Sequence, residues 1–320
     1  MQHVFVINPV AGKGNHAAKT RERVLAAAAA QGLEAAVYVT RCAGDGTRFA
    51  RERAARGDAV RLYACGGDGT LHELLTGAYG YDNVELAAYP IGSGNDYIRN
   101  FQDHEAFSDL PRLLAGQPVP VDALRCNELL SLNLANIGFD CDVCRRMLRF
   151  KTLPLISGGG AYTLAVAATF LRPFGSRLRV TLDDGRVVDR TMILTVVANG
   201  VCYGGGYFAT PRARVNDGLL DVCLVEKMTR PQILRLIGLY KAGRHVDSPA
   251  FAPYLTYARC RSLTLEAERP LQVCVDGEVL ETAAVLRFRV AERPVRFVLP
   301  QGVVYRAPAA GTSPAEAAFA

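Results

Sequence analysis

Over its first third the chain alternates short apolar runs with helical stretches, and that rhythm admits few folds. Val4–Asn8, Ala35–Thr40, Val60–Cys65 and Leu86–Ile91 read as strands, with helices expected over Ala17–Ala30, Thr47–Arg56 and Leu71–Ala78 and short helical pieces at Asp96–Phe101 and Ser108–Ala115. Strands separated by helices predict right-handed βαβ units and a parallel sheet. Gly116–Pro120 (GQPVP) breaks the rhythm, and the sequence places a boundary there.

The remainder has a different pattern. Arg177–Leu182, Asp183-Asp184-Gly185 and Val187–Asp189 give a hairpin signal, and Met192–Ala198, Leu219–Val225, Ser262–Glu266, Leu271–Val275, Val285–Val290 and Val295–Leu299 read as further strands. Only Tyr162–Leu171 and Gln232–Ala242 look helical. The expected class is α/β: a doubly wound parallel-sheet domain over residues 1–120, a mostly antiparallel β-sandwich over 121–300, and a tail, 301–320, frayed at its alanine-rich end.

Composition narrows the options. Half of the 320 residues are hydrophobic and 21% are charged, enough to bury a core, which excludes wholesale disorder. A net charge of +6, spread along the chain, permits contact with a phosphate ligand or an anionic membrane and does not call for nucleic acid. The nine cysteines are scattered, and Cys141 and Cys144 form a lone CxxC with no second pair, so reduced, packed cysteines in a cytoplasmic protein are expected rather than a zinc site. The start, MQHVFVINPV, has no secretory pattern. Thr152–Leu171 carries no charge, but its proline and glycines leave only Ala161–Leu171 as continuous helix; a loop feeding a buried helix is expected, with contact to a bilayer left open. His3, His16, His104 and His245 show no ligand spacing and are expected at the surface.

Three loops fall at the carboxyl ends of expected strands, the edge where open α/β sheets bind ligands. They are Asn8-Pro9-Val10-Ala11-Gly12-Lys13-Gly14, Gly66-Gly67-Asp68-Gly69-Thr70 and Gly92-Ser93-Gly94-Asn95-Asp96. Glycines let backbone N–H groups approach phosphate oxygens, and a following helix adds its positive end. Three such loops on one edge, two carrying an acid, favour a phosphate or nucleotide site over plain turns. GxxxxGK[ST] is absent, and Gly12-Lys13-Gly14 lacks the third glycine of a dinucleotide fingerprint.

NPVAGKG, GGDGTLHE and PIGSGND, in that order and spacing, resemble the catalytic domain of the diacylglycerol and sphingosine lipid kinase superfamily, most of all its soluble bacterial type. The Gly204-Gly205-Gly206 run, Asn216-Asp217-Gly218-Leu219-Leu220-Asp221 and Asp276-Gly277-Glu278 match landmarks of that family's second domain, so the resemblance covers about residues 3–300. It implies an ATP-dependent kinase of a lipid hydroxyl, diacylglycerol first, using Mg²⁺. It implies ATP contacts at Asn8, Pro9, Val10, Ala11, Gly12, Thr40, Gly67, Asp68, Gly69, Thr70, Leu71, His72, Glu73 and Ser93. Asp68 would work with the nucleotide-bound metal, and Glu278 matches the general base. Arg214 and Leu219, through carbonyls, and Asp217, through its side chain, match a structural Mg²⁺ site. His72 stands where the family commonly has asparagine.

Bland alternatives accompany these roles. Asp68 could be a helix-capping acid, and Asp276-Gly277 and Asp217-Gly218 are also ordinary turn pairs. As partners the resemblance implies ATP and a lipid at the membrane surface, met peripherally from the cytoplasm; homodimerisation stays open. Rival functions are kinase action on a sphingoid base or a phosphatidylglycerol-like lipid, NAD kinase, and non-catalytic binding of lipid or nucleotide.

Overall fold

A computed structural model describes residues 1–12, 16–92, 94–151, 158–281 and 284–306. Strands β1 (Gln2–Ile7), β2 (Ala35–Val39), β3 (Val60–Gly66) and β4 (Val84–Pro90) run parallel in the order β2-β1-β3-β4. Every residue of β3 is buried, as befits a parallel strand covered on both faces. Helices α1 (Ala17–Ala30), α2 (Asp45–Ala54) and α3 (Asp68–Ala78) make the crossovers; α1 packs with the later α4 (Leu110–Leu114), and α2 with α3. Because β1 leads outward to β2 and β3 leads the other way to β4, the strand order reverses between β1 and β3. The crevice above that point is where such sheets take ligands.

After an edge strand, β5 (Gln117–Val121), the chain enters a wholly antiparallel sheet. Among the described residues it contains β6 (Leu124–Cys126), β7 (Leu129–Ser131), β8 (Leu134–Gly138), β9 (Ser176–Leu182), β10 (Val187–Ala198), β11 (Leu220–Glu226), β12 (Leu255–Cys260), β13 (Ser262–Ala267), β14 (Gln272–Val275), β15 (Glu278–Glu281) and β16 (Val285–Val290). β10 organises it. Its first half pairs with β9; after an irregularity between Met192 and Leu194, its second half lies between β8 and β11. One strand thereby serves two branches of the sheet, and a bulge provides the bend. The core between the branches includes Val180, Leu182, Leu265, Val273, Leu286 and Phe288. Helices α5 (Phe139–Lys151) and α6 (Gly158–Phe170) pack together, and α7 (Arg230–Lys241) covers Val196 and Val225 with Leu236 and Tyr240.

Several expectations are corrected. The last strand, β17 (Val295–Leu299), does not join the second sheet: it runs parallel to β4, antiparallel to β5, and so completes the first. The reason is aromatic packing, for Phe297 is fully buried between Phe101, at a 5.5 Å ring separation, and Tyr97, at 5.0 Å. Gln117–Val121 is a strand despite Pro118 and Pro120, because the outer edge of a sheet tolerates missing donors. α5 is a helix where none was expected, and α6 starts at Gly158, ahead of the expected Tyr162. α6 is not buried throughout, since Leu164 is exposed. His3 and His245 are buried, not superficial: His3 Nδ1 lies 2.7 Å from Tyr63 Oη, and the His245 ring packs against Tyr240, tilted, and Phe251, edge-on, where burial pushes its pKa down to about 4. Residues 152–157 and the alanine-rich end from 307 lie outside the described residues.

Among the described residues no helix is long and apolar enough to cross a membrane. Cys65, Cys126, Cys141, Cys202, Cys223, Cys260 and Cys274 are buried as small hydrophobes.

Candidate active site

The glycine loops meet backbone to backbone above the β1/β3 switch. A Cβ on Gly92 would come within 2.6 Å of Gly67 Cα, and one on Gly12, at φ +76°, within 2.6 Å of Ile91 O. Neither neighbour is a flexible side chain, so these positions admit only glycine. The first loop is shaped by Asn8, whose Oδ1 accepts from Val10 N at 3.1 Å while Nδ2 donates to Thr70 Oγ1 at 3.3 Å. Pro9 and Ala11 are half-buried and Val10 is exposed. Thr40 is buried at the end of β2, donating its N–H to Ile7 O. Lys13, Gly14 and Ser93 lie outside the described residues.

The second loop opens α3. Gly67 occupies the N-cap, so Asp68 is the first helical residue and not the cap that one sequence alternative made it. Its carboxylate accepts from Asp96 N at 2.9 Å and Tyr97 N at 3.1 Å, tying the second loop to the third. Burial, with the field of Asp276, pushes the Asp68 carboxyl above its usual range against those donors. Asp96 is buried; desolvation, then the charge of Asp68, raise it to about 6. Its Oδ2 accepts from Gly205 N at 2.9 Å, which brings the Gly204–Gly206 turn of the second half onto this edge. Asp96 was present in the GSGND motif yet not assigned a role from sequence. Its signal is the pairing of two acids across neighbouring loops, visible only once the loops are folded.

The rest of GGDGTLHE divides by task. Thr70 and Leu71 are buried. The Glu73 carboxylate accepts from Gly44 N and Gly46 N, both at 2.8 Å, at the start of α2, so it satisfies orphan helix donors rather than facing the loops. His72 Nδ1 lies 3.2 Å from Asp276 Oδ2. Glu278 follows on the same turn, exposed, with Oε1 3.5 Å from where a Gly69 Cβ would stand. The DGE turn, more than 200 residues away in sequence, thus leans on α3.

Two metal positions can be tested by their donors. Asp68, half-buried, and Asp96, buried, lie on adjoining loops; burial and the charge of Asp68 raise the Asp96 carboxyl against the Arg99 guanidinium 3.4 Å away, and carboxylates so placed are donors of the kind through which Mg²⁺ binds alongside phosphate oxygens. The Arg214–Asp217–Leu219 position does not fit. One Asp217 oxygen is taken by the Arg259 guanidinium and the other accepts from Leu219 N at 3.2 Å. The Arg259 guanidinium is in direct hydrogen-bond contact with that oxygen, where a metal ion would have to sit. Arg214 instead lines a cavity of about 310 Å³ with Asn100, Asn216, Tyr305 and Arg306. No group of three or more His, Cys, Asp or Glu is gathered for a metal among the described residues.

Comparison with known proteins places this arrangement. Residues 2–126 match the diacylglycerol kinase catalytic domain, and residues 134–299 match the YegS C-terminal NAD kinase beta sandwich-like domain. A Pseudomonas aeruginosa protein named "Probable lipid kinase YegS-like" is 35% identical over 286 residues, 88% of this chain and 91% of its own length. The chain belongs to the YegS-like lipid kinase family. A diacylglycerol kinase of Bacillus subtilis is 25% identical over 86% of this chain and 88% of its own. A solved diacylglycerol kinase from Bacillus anthracis shares the fold, with a TM-score of 0.68 and 21% identity over 95% of this chain and 98% of that one. The glycine loops and the DGE turn of this lipid kinase therefore come from its two separately matched halves.

Proposed function

We propose that the protein transfers the γ-phosphoryl group of ATP to a lipid hydroxyl, with diacylglycerol as acceptor and phosphatidic acid as product. The observation that carries this is the Glu278 carboxylate against Gly69: a potential base from one half beside the phosphate loops of the other. Backbone N–H groups of the glycine loops and the α3 N-terminus would hold the nucleotide phosphates. Asp68 and Asp96 would hold Mg²⁺ arriving with ATP, which supplies charge neutralisation on the phosphate oxygens. Glu278 accepts the proton of the lipid hydroxyl as its oxygen bonds to the γ-phosphorus. The bond from that phosphorus to the β,γ-bridging oxygen breaks, and ADP leaves with the electron pair. Closure of the two halves would keep water from taking the lipid's place.

The same reading puts the protein on a bilayer surface reversibly. Leu171, Leu234 and Ile237 are exposed around the end of α6 and along α7, where Arg230 ties the two by donating to Phe170 O and Arg172 O. No acidic residue lies between Lys227 and Arg244, while Arg230, Arg235 and Lys241 do, so the face suits an anionic lipid surface.

Labelled ATP offered with diacylglycerol, a sphingoid base, phosphatidylglycerol and NAD, the lipids in mixed micelles, tests the proposal. Labelled phosphatidic acid is expected. Transfer to NAD alone, or nucleotide binding without transfer to any acceptor, would overturn it.

A further inference from the structure

The turn that presents Glu278 has an uncommon shape. Asp276 has φ +47° and Gly277 φ +91°, both left-handed, and Asp276 pays for this with strain a glycine would escape. Three elements hold it there. One Asp276 oxygen accepts from Ser131 Oγ of β7 at 2.6 Å and from Leu134 N of β8 at 3.2 Å; the other faces His72 Nδ1 of α3 at 3.2 Å. The Asp276 and His72 side chains are only 5% and 14% exposed, so water competes little for the contact. His72 is one helical turn beyond Gly69, the residue Glu278 lies against, and both therefore share one face of α3. Of these three attachments, the His72 contact alone joins the turn to the phosphate-loop helix.

We propose that His72 is a positioning residue for Glu278: its imidazolium clamps Asp276 and fixes the 275–278 turn on α3, so that the carboxylate meets the lipid hydroxyl beside the γ-phosphate. The inference rests on the reading of Glu278 as the base. The charged groups acting on the ring are Asp276 and Glu278 from the turn and Glu73 from α3, while Asp68 reaches Asp276 from one turn back. Burial alone would lower the imidazole's pKa; the Asp276 hydrogen bond and the fields of those three carboxylates outweigh it and hold the ring above its ordinary 6.5. The clamp is thus in place below that value and released as pH rises through the raised one. Turnover should fall on the alkaline side without a matching rise in KM for ATP.

Two measurements on the full-length protein decide this. In NMR titrations, with the His72 ring assigned by its loss in His72→Asn, it should titrate above 6.5 in the wild type. In Asp276→Asn it should drop by about one unit or more. A ring that titrates at or below its ordinary value, or ignores Asp276→Asn, overturns the clamp. If Asp276→Asn does not fold, the kinetic arm carries the test. His72→Ala should lower kcat on lipid by about 10- to 100-fold with KM for ATP nearly unchanged. His72→Asn, which keeps a donor without the charge, should turn over at the level the wild type reaches on its alkaline side and lack the alkaline fall. Wild-type kcat in His72→Ala, or a raised KM for ATP with kcat intact, would make His72 a nucleotide-side residue and sink the proposal. Glu278→Gln, assayed in parallel, separates the two failures. Should it turn over normally, the base assignment fails and positioning falls with it, whatever the ring's titration shows.

Discussion

On the glycine-loop side of the candidate site the groups presented are backbone atoms, and glycines such as Gly12 and Gly92 let three loops touch with no room for a Cβ. On the DGE side they are side chains held by other side chains: Ser131 and His72 on Asp276. A backbone site is rigid because its loops exclude one another sterically. A side-chain site is tuned by charge, and so depends on pH and on partners far away in sequence. On the function proposed, the division lets one side bind a group common to all nucleotides while the other suits one acceptor.

The comparison can be broken most decisively at Glu278. Glu278→Gln keeps the shape of the acceptor side and removes its basic oxygen; kcat on lipid should fall by roughly 10²–10⁴ in steady-state assays. ATP affinity should hold, because the phosphate loops are untouched. Normal kcat would show that the proton leaves by another route. The converse test is Gly92→Ala, whose methyl would meet Gly67 backbone at 2.6 Å. ATP affinity measured by calorimetry should weaken about tenfold or more, and overpacking of this kind costs about 1–3 kcal/mol of stability. Unchanged ATP binding would mean the loops need not touch.

Asp96 sharpens the boundary between the sides, being a phosphate-edge acid held by an acceptor-half turn. An acid whose folded pKa is raised from 3.8 to about 6 protects the fold only while protonated: stability is lost as pH climbs through that window, and the full penalty remains at pH 7. Asp96→Asn should therefore raise the melting temperature in metal-free buffer at pH 7, by about 1–3 kcal/mol of stability. The two proteins should converge near pH 4. A variant that melts lower at pH 7 would show that the charge is needed by the fold itself. The smallest effect expected is on membrane contact. Pelleting with anionic liposomes should exceed that with neutral ones, fall as salt rises, and drop further in Leu234→Asp. Equal pelleting with both at every salt concentration would remove α7 as the contact face.

What could be read from sequence follows the same division. The GGDGT and GSGND loops announce themselves because close backbone approach demands glycine at fixed spacing. The parallel sheet was legible because buried strands are continuous apolar runs. The Asp276 attachments were not legible: Ser131, Leu134 and His72 come from three elements with no shared spacing. Glu73 sits within a nucleotide motif yet caps α2, a role set by where α2 begins. The Asp217 motif was visible, but its Arg259 partner on the neighbouring strand was not. β17 was recognised as a strand and given to the wrong sheet, since alternation reveals a strand's faces and not its neighbour.

That last strand bears on how the molecule is made. β4 and β5 of the first sheet are bridged by residues 295–299 of a 320-residue chain. A growing polypeptide emerging from the ribosome can assemble β1 to β4 early, yet it must wait until residues 295–299 have been made before that sheet closes. Until then β4 presents an open edge, the surface most prone to wrong pairing. The nucleotide half is thus not an independent cassette, and a nascent chain that stops short of Val295 should be unable to seal the sheet on which its phosphate loops stand.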